Sequence, residues 1–390
     1  MGLSLLFSTG EVSGDMVGAM LARELKAIQP GISIWGVGGG KMREAGVRIL
    51  VDSNPLGSVG ISEPLVLLPG DFKAFSLICA HVRQTRPDAA VLIGHEMFNL
   101  FLVRWLKRMG VLTIAYFPPQ TWVWKRVAGL IARYYDCILT SFTEEHEVYR
   151  QAGGRAVFVG HFLRDLQEEV SAEGRRAARH ALGLDLDRTT VGILPGSRLQ
   201  EVKRLGPLFL DAVAQMAAKD SALQFVLPVA DPFFQGDIVQ MIGQRGLERL
   251  ICLCHDSRRA FAASDMVMLS SGTATLEAAM MEVPMIIVYR VSRITMAVAR
   301  TLLRAGILDS ETVGLPNLLA GESTVVELRQ AEANASRLTD EAWSLLTDID
   351  RQIQTKQKLR ALRNQLGETG VMKRVAQRIL EKATRSAVSA

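Results

Sequence analysis

Leu194-Pro195-Gly196-Ser197-Arg198 decides how this chain is read. An apolar run, Val191-Gly192-Ile193, leads into it, and an amphipathic stretch from Glu201 to about Ala218 follows. Strand, tight glycine turn and helix start is the order this implies. A helix start leaves backbone N–H groups unpaired and carries partial positive charge, so it suits an anion. Arg198 adds a planar, permanently charged fork that grips a phosphate through two bonds. Downstream, Ser270-Ser271-Gly272-Thr273-Ala274-Thr275-Leu276-Glu277 repeats the pattern after the apolar run Met266 to Leu269. Two anion-receptive turns in one half of a chain point to a diphosphate carried on something larger.

Working outward, strands and helices alternate on both sides. Leu3 to Ser8 reads as a buried strand, followed by Gly10-Glu11-Val12-Ser13-Gly14-Asp15 and a helix through Ile28. Further strands are expected at Ile32 to Val37, Ala89 to Ile93, Val111 to Tyr116 and Ala156 to Val159. In the second half they fall near Val191 and at Leu223 to Val229, Arg249 to Leu253, Met266 to Leu269 and Met285 to Tyr289. Such alternation marks parallel sheets covered on both faces. The expected fold class is α/β, with two doubly wound Rossmann-like domains and a cleft between them. At 390 residues the chain exceeds one ordinary core. The expected partition is 1–168, a linker at 169–189, a second domain at 190–350, and C-terminal helices at 351–390 packing back on the first domain.

Ligands of such sheets bind beyond the strand C-termini. Glu11, which has no evident capping role, is therefore expected to be functional; for Asp15, capping and function stay open. His95 and Glu96 follow the strand Ala89 to Ile93 in the same way. Pro118-Pro119-Gln120 ahead of Trp122 and Trp124 suggests a rigid binding wall. Ile61 to Val82 is more apolar than a surface loop requires, and core packing and a lipid-facing patch both remain open. Arg290, Arg293, Arg300 and Arg304 punctuate an apolar helix, by default a solvated face, alternatively a membrane-surface helix.

Apolar residues make up 48% and charged residues 22%, which is globular composition; a net charge of +5 without an aromatic-and-basic stripe argues against nucleic acid. Four cysteines in this length make no disulfide framework, so a reducing, cytoplasmic compartment is expected. Cys252 and Cys254, with His255 beside them, fit a buried strand better than a zinc site. No basic n-region precedes the first strand, and no apolar run is long enough to span a bilayer.

Six segments, in order, resemble the lipid-A-disaccharide synthase family: Gly10 to Asp15, Pro118 to Trp124, Gly160-His161, Leu194 to Arg198, Ser270 to Ala274, and Leu315-Pro316-Asn317-Leu318-Leu319-Ala320-Gly321. The resemblance runs from about residue 5 to residue 330. It implies an inverting glycosyltransferase of the two-domain GT-B fold. Family members join UDP-2,3-diacylglucosamine to 2,3-diacylglucosamine 1-phosphate, forming the β-1,6 lipid A disaccharide and UDP. They act at the inner face of the cytoplasmic membrane, without metal or cofactor. On that reading Gly196, Ser197, Arg198, Ser271, Gly272 and Thr273 receive the diphosphate, Glu277 accepts two ribose hydroxyls, and Asn317 lies on the nucleotide side. The family's aspartate after its Gly-Ile pair, thought essential, falls here at Gly94, and a second aspartate at Met97. His95 or Glu96 taking over the role of base, Glu11 serving as base, and a paralogue with weakened or altered catalysis are the readings left open. Glu322-Ser323 replaces a frequent Arg-Glu pair. Another UDP-sugar enzyme of the same architecture, or a UDP-binding protein without turnover, are the wider alternatives.

Overall fold

The computed structural model describes residues 2–10, 12–53, 69–121, 125, 128–166, 170–197, 199–229, 232–291 and 312–389. The chain divides into two compact units. Among described residues, the first comprises 2–165 and 365–389 and the second 166–291 and 312–364.

The first unit is a seven-stranded sheet ordered β3-β2-β1-β4-β5-β6-β7, with every pair parallel. Its strands are β1 (Ser4–Thr9), β2 (Ser33–Gly38), β3 (Arg48–Asp52), β4 (Ala89–Ile93), β5 (Leu112–Tyr116), β6 (Cys137–Thr140) and β7 (Ala156–Phe158). All five residues of β4 are buried, as a strand with helices on both faces demands. Helices α1 (Val12–Ile28), α2 (Gly40–Glu44), α3 (Pro69–Gln84) and α4 (Glu96–Arg108) supply part of that cover.

The second unit repeats the plan with six parallel strands ordered β10-β9-β8-β11-β12-β13. They are β8 (Thr190–Leu194), β9 (Gln224–Pro228), β10 (Ile251–Cys254), β11 (Met266–Ser270), β12 (Met285–Tyr289) and β13 (Val326–Arg329). Cys254 is buried in β10 and the Cys252 thiol donates to the Leu182 carbonyl at 3.3 Å, so these thiols pack a strand.

In both units the chain reverses direction beside its first strand. β1 lies between β2 and β4, and β8 between β9 and β11. The crevice at such a reversal is where doubly wound sheets receive ligands. The motif loops follow these central strands: Gly10 after β1, Gly94 and His95 after β4, Pro195 to Ser197 after β8, Ser271 and Gly272 after β11.

The stretch expected as a linker is more than a tether. It holds the helix Ala172–Ala181, whose buried Arg179 donates to the Ala263 and Leu186 carbonyls and pairs with Asp265 at 2.7 Å. The helix Ile349–Gln365 is tied to the second unit through Arg360 and Arg363 on Glu282. The final helix, Val371–Ser389, groups with the first unit. There the Asp165 carboxylate accepts from the N–H groups of Gly370, Val371 and Met372, which serves the unpaired donors of the helix start.

His161 belongs to the same packing. Its ring lies among Phe117, Phe142 and Phe162, and its Nδ1 accepts from the Leu163 N–H at 3.3 Å. Complete burial pushes the imidazole pKa down to about 3. The unfolded chain binds this proton near pH 6.5 and the native chain does not, so stability falls as pH drops from about 6.5 toward 3. His161→Asn retains an acceptor but no titration. Urea unfolding should therefore show a steeper loss between pH 6 and pH 4 for the native chain than for the variant, and parallel curves would refute the assignment.

Candidate functional site

In the first unit the loops after β1 and β4 are fitted to each other. A Cβ on Gly10 would lie 2.1 Å from the His95 Cγ, so only glycine lets the imidazole rest against this loop. Gly94 and His95 both adopt left-handed conformations, with φ of 57° and 50°. For histidine this costs about 1–2 kcal/mol and persists only where neighbours impose it. They do so here. The Gly94 N–H donates to the carbonyls of Tyr116 and Phe117, and the Asn99 side-chain amide donates to the Gly94 carbonyl. Asn99 Oδ1 accepts from the Ser8 hydroxyl at 2.6 Å, tying α4 to β1. The imidazole stacks on Phe98 at 5.0 Å between centroids. Its Nε2 stands 4.0 Å from Oδ1 of Asp71, a buried carboxylate in the first turn of α3. Burial lowers the His95 pKa, and the Asp71 charge partly offsets that.

Asp15 has a structural task. Its carboxylate accepts from the backbone N–H groups of Gly39 (2.7 Å), Lys41 (2.9 Å) and Met42 (3.1 Å). It thus caps α2, not its own helix, and joins the first turn of α1 to the loop after β2. Asp15→Ala would strand buried donors and is expected to lower the unfolding free energy by about 2–3 kcal/mol; an unchanged urea midpoint would contradict this. Pro119 is held by the Tyr149 hydroxyl, which donates to its carbonyl at 2.6 Å. Trp122, Trp124, Glu11 and the side chain of Glu96 lie outside the described residues.

In the second unit, Gly196 has φ 134°, and a Cβ there would meet Glu201 at 2.4 Å. Glu201 closes the turn by accepting from the Ser197 N–H at 3.1 Å. That donor is thereby engaged within the turn. Arg198, like Arg293, Arg300 and Arg304, lies outside the described residues.

The other turn opens the helix Thr273–Met280. Gly272 at its N-cap has no side chain with which to cap it, Thr273 and Ala274 are partly exposed, and the buried Thr275 gives its N–H to the Gly272 carbonyl at 3.1 Å. Glu277 is half-buried one turn into that helix. The Ser271 hydroxyl donates to the Val313 carbonyl at 2.7 Å, linking this turn to the Leu315 to Gly321 motif. Asn317 orders that motif from within. Its amide nitrogen donates to Val325 O and Glu327 Oε1, and its oxygen accepts from the N–H groups of Thr324 and Val325. These four bonds anchor the loop that carries Asn317. Glu327, not anticipated from sequence, also accepts from the N–H groups of Val313 and Gly314. Among the described residues, no group of three or more His, Cys, Asp or Glu side chains is placed to hold a metal ion.

The lipid-A-disaccharide synthetase family model matches residues 5–381. This chain belongs to that family. The lipid-A-disaccharide synthase of Geobacter sulfurreducens is 36% identical over 380 residues, covering 97% of this chain and 96% of that protein. Solved structures share the fold at low identity. The UDP-GlcNAc 2-epimerase from Neisseria meningitidis bound to UDP-GlcNAc superposes with a TM-score of 0.64 at 13% identity, covering 98% of this chain and all of that one. The calicheamicin glycosyltransferase CalG4 gives 0.58 at 14%, covering 98% and 99%. The six motif segments quoted from the sequence all lie within the span of the family match.

Proposed function

We propose that this member of the lipid-A-disaccharide synthetase family transfers 2,3-diacylglucosamine from UDP-2,3-diacylglucosamine to 2,3-diacylglucosamine 1-phosphate. Inversion at the anomeric carbon gives the β-1,6 disaccharide 1-phosphate and UDP. The observation that carries the reading is the family match across residues 5–381, with the family's motif loops set beside the strand reversals of both sheets. A neighbour of the same fold holds UDP-GlcNAc, which supports a UDP-sugar as the donor.

In this reading the second unit takes the donor. Arg198 and the start of Thr273–Met280 offset the charge that builds on the departing diphosphate, because fixed dipoles and cations need no reorganisation when it forms. Glu277 takes the ribose hydroxyls. The first unit takes the acceptor, with the base among Glu11, His95 and Glu96. UDP enters as part of a substrate, and no cofactor is invoked.

Two acylated substrates call for access to a bilayer. Among the described residues no helix is long and apolar enough to cross one. On α3, Ala74, Ile78 and Val82 are buried while Phe72 is 62% and Leu77 is 48% exposed, and Phe101 on α4 is 43% exposed. From Pro69 on, the apolar stretch thus serves the core with one face and shows another to its surroundings, with Lys73 beside it, while Ile61 to Leu68 lie outside the described residues. We assign that outer face to peripheral contact with the inner face of the cytoplasmic membrane.

The deciding experiment mixes purified protein with both acyl-sugar substrates and follows UDP release together with the disaccharide by mass spectrometry. Product of both kinds supports the proposal. UDP without disaccharide, or UDP binding with no turnover, overturns it.

A further inference from the structure

We propose that His95 and Asp71 form a proton-accepting pair in which His95 Nδ1 takes the proton of the attacking acceptor hydroxyl and Asp71 positions the imidazole. The inference rests on the glycosyl-transfer reading and deepens it by naming the base and a positioning residue. As the hydroxyl oxygen bonds to the anomeric carbon, the bond from that carbon to the diphosphate oxygen breaks. Its electron pair leaves with UDP, the hydroxyl proton passes to Nδ1, and the imidazolium later returns it to solvent.

Three observations converge. First, His95 Nδ1 is buried and has no hydrogen-bond partner among the described residues. Leaving such an atom unpaired costs about 1–3 kcal/mol, so it calls for a ligand group to pair with it. Second, Nε2 faces the buried Asp71 carboxylate at 4.0 Å. At that separation no hydrogen bond joins them, and Asp71 acts through its charge, which favours hydrogen on the near nitrogen Nε2 and stabilises the imidazolium formed during transfer. Third, the ring is held at the ligand end of β4, against the Gly10 loop of β1, by a left-handed backbone that costs free energy. Burial lowers the His95 pKa and so keeps the resting imidazole neutral, as a base must be. Asp71 on α3 is the described charged group acting on the ring. Phe98 stacks on the ring, Gly10 lies against its Cγ, Nδ1 and Cδ2 atoms, so the Gly10 loop borders the path to Nδ1, and Glu11 and Glu96 adjoin these loops in sequence.

The test pairs kinetics with NMR titration of the His95 imidazole in the full chain. His95→Gln is expected to lower kcat by about 10²–10³-fold with UDP affinity within about twofold. Asp71→Asn removes a charge that raises the imidazole pKa, so the His95 titration and the acidic limb of kcat/KM both move to lower pH. Its kcat should drop about tenfold or more, and Asp71→Glu should recover part of it. Thermal unfolding of each variant establishes that it is folded. Undiminished kcat in His95→Gln, or an unmoved His95 titration in folded Asp71→Asn, overturns the pair. A native protein without any transfer overturns the functional reading instead, and the NMR titration still decides whether Asp71 governs His95.

Discussion

Arg198→Ala is expected to lower kcat/KM for the UDP-sugar by about 10²–10³-fold and to weaken UDP binding by at least tenfold. The magnitude follows from what the neighbouring turn already commits. Ser197 gives its N–H to Glu201, and the same carboxylate crowds Gly196. A diphosphate approaching this turn meets a negative side chain and one donor fewer than a bare glycine turn offers. The helix start at Gly272 supplies dipoles but no full charge. Arg198 is the residue of these motifs that brings one, in a fork matched to phosphate oxygens. Arg198→Lys keeps the charge and loses the fork, so it should fall between the native chain and alanine. Steady-state kinetics and calorimetry with UDP check this, and an alanine variant with native UDP affinity and turnover would remove the arginine from the mechanism.

The glycine turns were legible in the sequence because their geometry permits little else. Gly196 needs its positive φ and Gly10 its bare face, and each sits where an apolar run ends. The central strands were equally plain, since β4, β8 and β11 are buried along their whole length and so read as unbroken apolar runs. The strands the sequence did not disclose are β3, β6 and β13. β3 and β13 are sheet edges where one flank needs no partner, and Val326-Glu327-Leu328-Arg329 alternates polar and apolar. Cys137–Thr140 is too short for periodicity to separate strand from helix.

The site divides along similar lines. Residues on the loops after the central strands announced themselves by position, but those reaching in from elsewhere did not. Asp71 enters from α3, and nothing in Pro69-Gly70-Asp71 distinguishes it from an ordinary first-turn acid. Glu327 reaches from β13 to Gly314 and Asn317 at the start of the helix Leu315–Ala320. Asn317 shows the converse limit: its motif could be picked out, but not the four hydrogen bonds by which its amide orders the loop.

Gly94→Asp placed in the His95→Gln background is expected to raise kcat by about 10–100-fold over His95→Gln alone. The family resemblance puts an aspartate at this position, and the backbone here is ready to carry one. A Cβ on Gly94 would meet nothing within 4 Å. The φ of 57° lies in the left-handed region, where aspartate is among the side chains best tolerated, at a cost of about 1 kcal/mol. The direction in which the carboxylate leaves the chain is fixed, since the Gly94 N–H donates to Tyr116 and Phe117 and its carbonyl accepts from Asn99. In the otherwise native chain the same substitution sets a negative charge beside His95, which raises the imidazole pKa and moves the acidic limb of kcat/KM to higher pH. The two backgrounds thus separate a carboxylate acting as base from one acting on the histidine. If Gly94→Asp leaves His95→Gln as slow as before while the protein remains folded and binds UDP, a carboxylate at this turn does not reach the attacking hydroxyl. The loss of the family aspartate would then have to be explained by a different acceptor geometry.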